Sequence, residues 1–235
     1  MPMDMPMRIA MTTEAARLRL FQLVSPALPV GAFSYSEGLE VLVQKGLCTG
    51  VAPLEAWLRA ELWRGAVAME TAALGPLRQC ITRWQQGQAA AVADLCGLDS
   101  WLLAQREAPE IRAQQRQMGQ SLLQLLADLG WTPPTPLLAW PAAFAWAAHC
   151  LDLEGPAIEE AYLYSWVANQ LSAAVRLVPL GPTQAQRLQL QLAPLLAARA
   201  MELADLDPRE LWSGGVGAGL LQLQHDELYS RLFRS

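Results

Sequence analysis

Lysine is nearly missing from this chain of 235 residues: Lys45 stands alone, and the other cations are arginines. Net charge is −5 and no basic cluster stands out, which argues against a nucleic-acid partner. Charged residues of both signs make up only 17% against 53% apolar, more apolar side chain than a soluble monomer needs, so part of the surplus points to an interface. Cysteine is sparse too. Cys48, Cys80, Cys96 and Cys150 lie far apart and form no CxxC pair. The opening "MPMDMPMRIAM" has no apolar core of secretory length, and together these features predict reduced thiols in a cytoplasmic protein. The best apolar run, residues 137–148, is interrupted by Pro141 and falls well short of the roughly 20 residues that a membrane span needs.

Strand signals are also scarce. β-branched residues are few and no segment alternates with period two for long, whereas Ala, Leu and Gln dominate. Pro53, Pro76, Pro109, Pro156 and Pro208 sit where first-turn prolines open helices, and Gly46, Gly130 and Gly181 where chains leave them. The expected fold is all-α: a single compact multi-helix domain of about nine or ten helices around a central apolar helix. The helices are expected at 14–24, 35–45, 53–74, 76–86, 88–96, 100–106, 109–129, 138–150, 156–178 and 183–203. Residues 1–12 read as a disordered leader, with Met11 a possible true start, 13–212 as the helical body, 213–219 as a glycine-rich hinge and 220–235 as a docking tail.

Segment 156–178 is the central helix. Glu159 and Glu160 begin it, Arg176 ends it, and no charge lies between. Tyr162, Trp166, Asn169, Ala173 and Arg176 share one face. That face reads as a satisfied polar pair, Asn169 with Arg176, inside the core, in preference to a contact for a partner or channel.

"SPALPVGAFSYSEGLE", residues 25–40, has the look of an active site. A nucleophile elbow, however, needs a glycine where Ser34 stands and a strand before it. The chain has two histidines, His149 and His225, and neither stands at a recognised spacing from an acid. A structural account fits better. Pro26 and Pro29 stiffen the approach, Gly31 permits a tight turn, and Ser34 with Glu37 forms a capping box. Gly38 inside the helix marks close approach by another backbone. No catalytic residue is expected.

Metal motifs are missing as well. His149 and Cys150 are adjacent, so they diverge by about 100° on a helix. Weak metal contact through His225 and Asp226, or through the early methionines, is a lesser alternative. "SGGVGAG", 213–219, lacks the lysine of a phosphate loop and reads as a linker. The tail "LLQLQHDELYSRLFRS" sets Tyr229, Leu232 and Phe233 at i, i+3 and i+4 beside Arg231 and Arg234. It is either a docking element or a terminal helix folded back on its own domain.

Four segments carry a family resemblance. "SPALPVGAFSYSEGLE" resembles the S-P-x-L-P-x-G-x-F-S-Y-S-x-G-L-E stretch of the urease accessory protein F family, UreF. "REAPEIRAQQRQMGQSLLQL", "AVRLVPLGPTQAQ" and "HDELYSRLFRS" are similar to that family's arginine-rich helix, post-central segment and ending, in the same order. Ala32 departs where a second glycine is usual, Pro182 where Gln is frequent, and Asp226, Glu227 and Leu228 where Glu-x-Gln is found.

The resemblance implies an all-α, homodimeric, non-enzymatic helper that binds no cofactor tightly and handles nickel only through its complex. The implied partners are accessory protein D (also called H), the GTPase UreG and apo-urease. By the same resemblance, Tyr229, Arg231, Leu232, Phe233 and Arg234 would contact the D/H protein. Arg176, Pro179 and Gly181 would shape a GTPase-facing or channel surface. A serine hydrolase and a direct nickel carrier are the rival functions.

Overall fold

A computed structural model describes residues 13–212 and 214–235; the expected leader at 1–12 lies outside the described residues. The described chain is all-α. It runs α1 Thr13–Leu23, a 3-10 turn Ala32–Ser34, α2 Leu39–Gln44, α3 Val51–Arg64, α4 Ala66–Gln85 and α5 Ala90–Ala104. Next come α6 Pro109–Asp128, α7 Trp140–Cys150, α8 Ala157–Leu177, α9 Pro182–Ala204, α10 Val216–Leu223 and a 3-10 turn His225–Glu227.

Apolar spacing sets which faces turn inward. On α3, Leu54, Leu58 and Leu62 recur every fourth residue and all are fully buried. α7 is apolar on every side, and each residue from Trp140 to Ala148 is buried. α8 is the hub, packing against α1, α2, α3, α4 and α9. One edge of α8 is nonetheless open, at Tyr164, Ser172 and Arg176.

Several boundaries differ from the sequence expectation. The break near residue 75 does not occur: Pro76 lies inside α4. The break falls instead at Gly65, where a Cβ would stand 2.3 Å from Glu61 Oε2 and 2.7 Å from the Glu61 carbonyl oxygen. The expected helices 88–96 and 100–106 are one helix, α5. Pro208 lies in a turn rather than opening a helix. α10 begins at Val216, within the stretch read as a hinge, and carries Gly217 and Gly219 in its helical run.

One crossing sets the frame for the site. At Gly119 on α6 a Cβ would lie 2.2 Å from the Leu138 carbonyl oxygen, so α6 meets the start of α7 backbone to backbone. Asp99 of α5 fastens the same corner. Its carboxylate accepts the Ala139 amide at 2.8 Å and Arg116 of α6 at 2.7 Å.

Candidate functional site

The quoted turn is shaped by left-handed backbone. Gly31 has φ +72, Glu37 φ +51 and Gly38 φ +92, the last two in succession. The Ser36 and Glu37 amides both donate to the Ser235 carbonyl oxygen, at 2.8 and 3.1 Å, and the Ser36 hydroxyl joins them at 2.7 Å.

This geometry overturns the expected capping box. Helix α2 starts at Leu39, so Glu37 precedes it, and the Ser34 amide donates to the Gly31 carbonyl instead. Pro26 and Pro29 lie exposed in the approach to that turn. Gly38 stands just before α2 rather than inside it. The expected close approach is there: a Cβ would lie 3.3 Å from Gln222 Cγ and 3.4 Å from Leu221 Cβ on α10.

Freed from capping, the Glu37 side chain points into the protein. Its carboxylate accepts Gln114 Nε2 of α6 at 2.7 Å and Trp166 Nε1 of α8 at 3.1 Å, with Arg106 Nη1 at 4.0 Å. Arg106, just after α5, is 4% exposed. It donates twice to Glu70 Oε1 of α4, at 2.9 Å from Nε and 2.5 Å from Nη2. Tyr162 of α8 donates to Glu70 Oε2 at 2.8 Å, and Gln115 Nε2 reaches Glu70 Oε1 at 3.3 Å.

The electrostatics follow from burial. Desolvation pushes Glu70 above the ordinary carboxylate range against the pull of Arg106. Burial pulls Arg106 down, yet Glu70 and Glu37 together hold its guanidinium above the ordinary value. Tyr162 is pushed well up, first by burial and then by Glu70. Glu61 of α3 is raised by burial to about 7, with Arg106 opposing.

Around the turn, neither Ser34 nor Ser36 is set against a base, and the Tyr162 hydroxyl is spent on Glu70 within the buried network. Ser36 donates to a main-chain carbonyl, and His225 Nε2 pairs with Glu40 at 3.1 Å. Both carboxylates of the network already receive donors. Among the described residues, no group of three or more His, Cys, Asp or Glu could hold a metal ion. None of the helices in the described residues is long and apolar enough to cross a membrane.

The tail folds back along this turn. Buried Glu40 accepts the Leu232 and Phe233 amides, at 2.6 and 3.1 Å, as well as His225. The Arg234 amide donates to the Ser34 carbonyl at 2.9 Å, and the Ser235 hydroxyl to Gln114 Oε1 at 2.6 Å. The resemblance places Phe233 among the partner-contacting residues, but only 5% of it is exposed, and it packs in the main core. The Arg176 guanidinium lies 4.7 Å over its ring.

Arg176 and Asn169 are therefore not the buried pair expected: Arg176 is exposed on the tail, and Asn169 is half-buried. Tyr229 is fully exposed, Leu232 half-exposed, and Arg234 exposed; Arg231 is exposed and paired with Asp226. Pro179 and Gly181 are exposed in the link from α8 to α9. The structure thus brings Arg176 against the tail, and it supports Tyr229 and its neighbours on buried anchors.

Glu40, Glu61, Glu70, Arg106, Gln114, Gln115 and Ser235 escaped the sequence reading, and His225, which the sequence offers as a weak metal contact with Asp226, pairs with Glu40 instead. One signal was available for Glu70: it is the lone charge in the apolar run "AVAMETAALG".

A UreF family model matches residues 48–193. The chain is 39% identical to the urease accessory protein UreF of Thermosynechococcus vestitus, over 96% of this chain and 100% of that relative. It is 40% identical to the UreF of a Nostoc species, over 93% of this chain and 95% of the relative. Against the UreF of Alkalilimnicola ehrlichii identity is 38%, over 94% and 96%.

Proposed function

Because the chain belongs to the UreF family of urease accessory proteins, a family of helpers rather than enzymes, we propose that it is an adaptor chaperone for urease maturation. It bridges the accessory D/H protein and the GTPase UreG in the cytoplasmic assembly that inserts nickel into apo-urease. It does so as a homodimer, with the apolar surplus covered between copies. Nickel passes through the assembly and is not held tightly by this chain. Modulation of the GTPase is part of the same role.

One observation carries the reading. The chain's end is anchored by Phe233, Ser235 and the Glu40 clasp, while Tyr229, Arg231, Leu232 and Arg234 stay on the outside. An aromatic, a leucine and two arginines on a fixed support make a low-entropy docking surface. That surface is assigned to the D/H protein. Arg176, Pro179 and Gly181 are assigned to the GTPase side, adjoining the tail through the Arg176–Phe233 contact.

The hydrolase reading finds no support in Ser34 or Ser36, neither of which has a base. The test is co-expression of apo-urease with its other accessory proteins, with and without this chain. Nickel-dependent urease activity that rises only with the chain present supports the adaptor. Equal activity without it overturns the proposal, and tight stoichiometric nickel on the isolated chain in equilibrium dialysis favours the carrier.

A further inference from the structure

We propose that the small cavity beneath the turn binds one ordered water molecule, held by the amide oxygens of Gln115 and Gln170. The inference is independent of the adaptor reading. Glu37, Glu70, Gln115, Tyr162 and Gln170 all line this cavity, and the room open to the centre of a water-sized sphere is about 20 Å³. One water needs about 10–15 Å³ by that measure, and two to four polar partners.

The partners are present. Gln115 and Gln170 are 3% and 1% exposed, and the Oε1 atom of each is buried with no partner among the protein atoms. The Gln115 amide is oriented, because its Nε2 donates to Glu70 Oε1. Its oxygen is therefore the end left over. The demand at this spot is for donors: two neutral acceptors lack one each, and a water carries two protons.

A hard cation fits less well. Arg106 already supplies the positive charge, donating twice to Glu70 and lying 4.0 Å from Glu37. Glu37 receives Gln114 and Trp166, Glu70 receives Tyr162, and the oxygens left without partners are neutral amides. A metal ion would need more open anionic oxygens than these. The water instead joins α6 to α8 directly under Glu70 and holds the Gln115 amide with its nitrogen toward the carboxylate.

The test is a high-resolution crystal structure of the full chain, with the oxygen-17 relaxation dispersion of its solution as a second measure. The expected result is one fully occupied water within hydrogen-bond reach of both amide oxygens. Gln170→Met should lose that peak and one long-lived water from the dispersion. Gln115→Met approaches the same question from the other wall should the first variant not fold, and the wild-type density decides by itself. A dry cavity, a peak with metal–oxygen distances, or a Gln115 amide turned the other way overturns the proposal.

Discussion

Arg106 is the residue on which the buried network turns. Its guanidinium serves Glu70 directly and Glu37 at longer range, and these three are almost wholly buried. Removing one partner of a buried pair strands the other charge, which costs about 3–5 kcal/mol. Arg106→Leu should therefore lower unfolding stability by roughly that amount in urea titration, and Glu70→Gln added to it should restore part of the loss. A strictly additive pair would show that the two do not interact.

Glu61 gives a pH dependence of unusual sign. Burial raises its folded-state value to about 7 from 4.5, so the folded protein keeps a proton that the unfolded chain gives up. Stability then falls as pH rises from about 4.5 to about 7, by at most a few kcal/mol, and levels off above that window. Glu61→Gln should flatten this part of the stability–pH curve. An unchanged slope in the variant would assign the titration elsewhere.

At the scale of elements, glycines report where backbones touch. Gly119→Ala drives a Cβ to 2.2 Å from the Leu138 carbonyl, so α6 and α7 must separate. Overpacking of this kind costs about 1–3 kcal/mol or more, and a clash with main chain has little slack. Thermal melts of the variant should show a clear drop, and a melt like the wild type would mean that the crossing yields freely.

Phe233→Ala should act differently, by loosening the tail. Hydrogen exchange at the amides of Ser36, Glu37, Leu232 and Phe233 should quicken while that of α7 stays slow. Uniform quickening would mean that the tail and core open as one unit.

What the sequence made legible was local. The first-turn proline Pro109 marked α6, and the charge-free run marked α8 as the hub. Gly38 announced a close approach, although its partner, α10, lies almost two hundred residues on. The failures have a common cause. A capping box and a Ser-x-x-Glu before a left-handed pair are identical as letters, and only the tail docking on the Ser36 and Glu37 amides selects the second. Glycines at 217 and 219 promise flexibility until α10 packs against Gly38. Phe233 reads as an exposed anchor until Arg176 covers it. The charge network was least visible, since its members come from three helices, α4, α6 and α8, and two connecting segments with no spacing to link them.

For the whole molecule, the structure separates support from display. Phe233, Ser235, His225 and Glu40 fix the tail; Tyr229, Arg231 and Leu232 face outward. Truncation after Gln224 would remove both sets together and confuse docking with folding. Replacing Tyr229, Arg231 and Leu232 with alanine leaves the main-chain clasp in place and strips only the display. The decisive measurement is quantitative pull-down of the D/H protein and the GTPase by wild type and by this triple variant, with melts run in parallel. The account predicts that wild type captures both partners, and that the variant melts like wild type but loses D/H capture by more than roughly tenfold. Capture of neither partner by wild type contradicts the adaptor, and undiminished capture by the variant contradicts the docking surface.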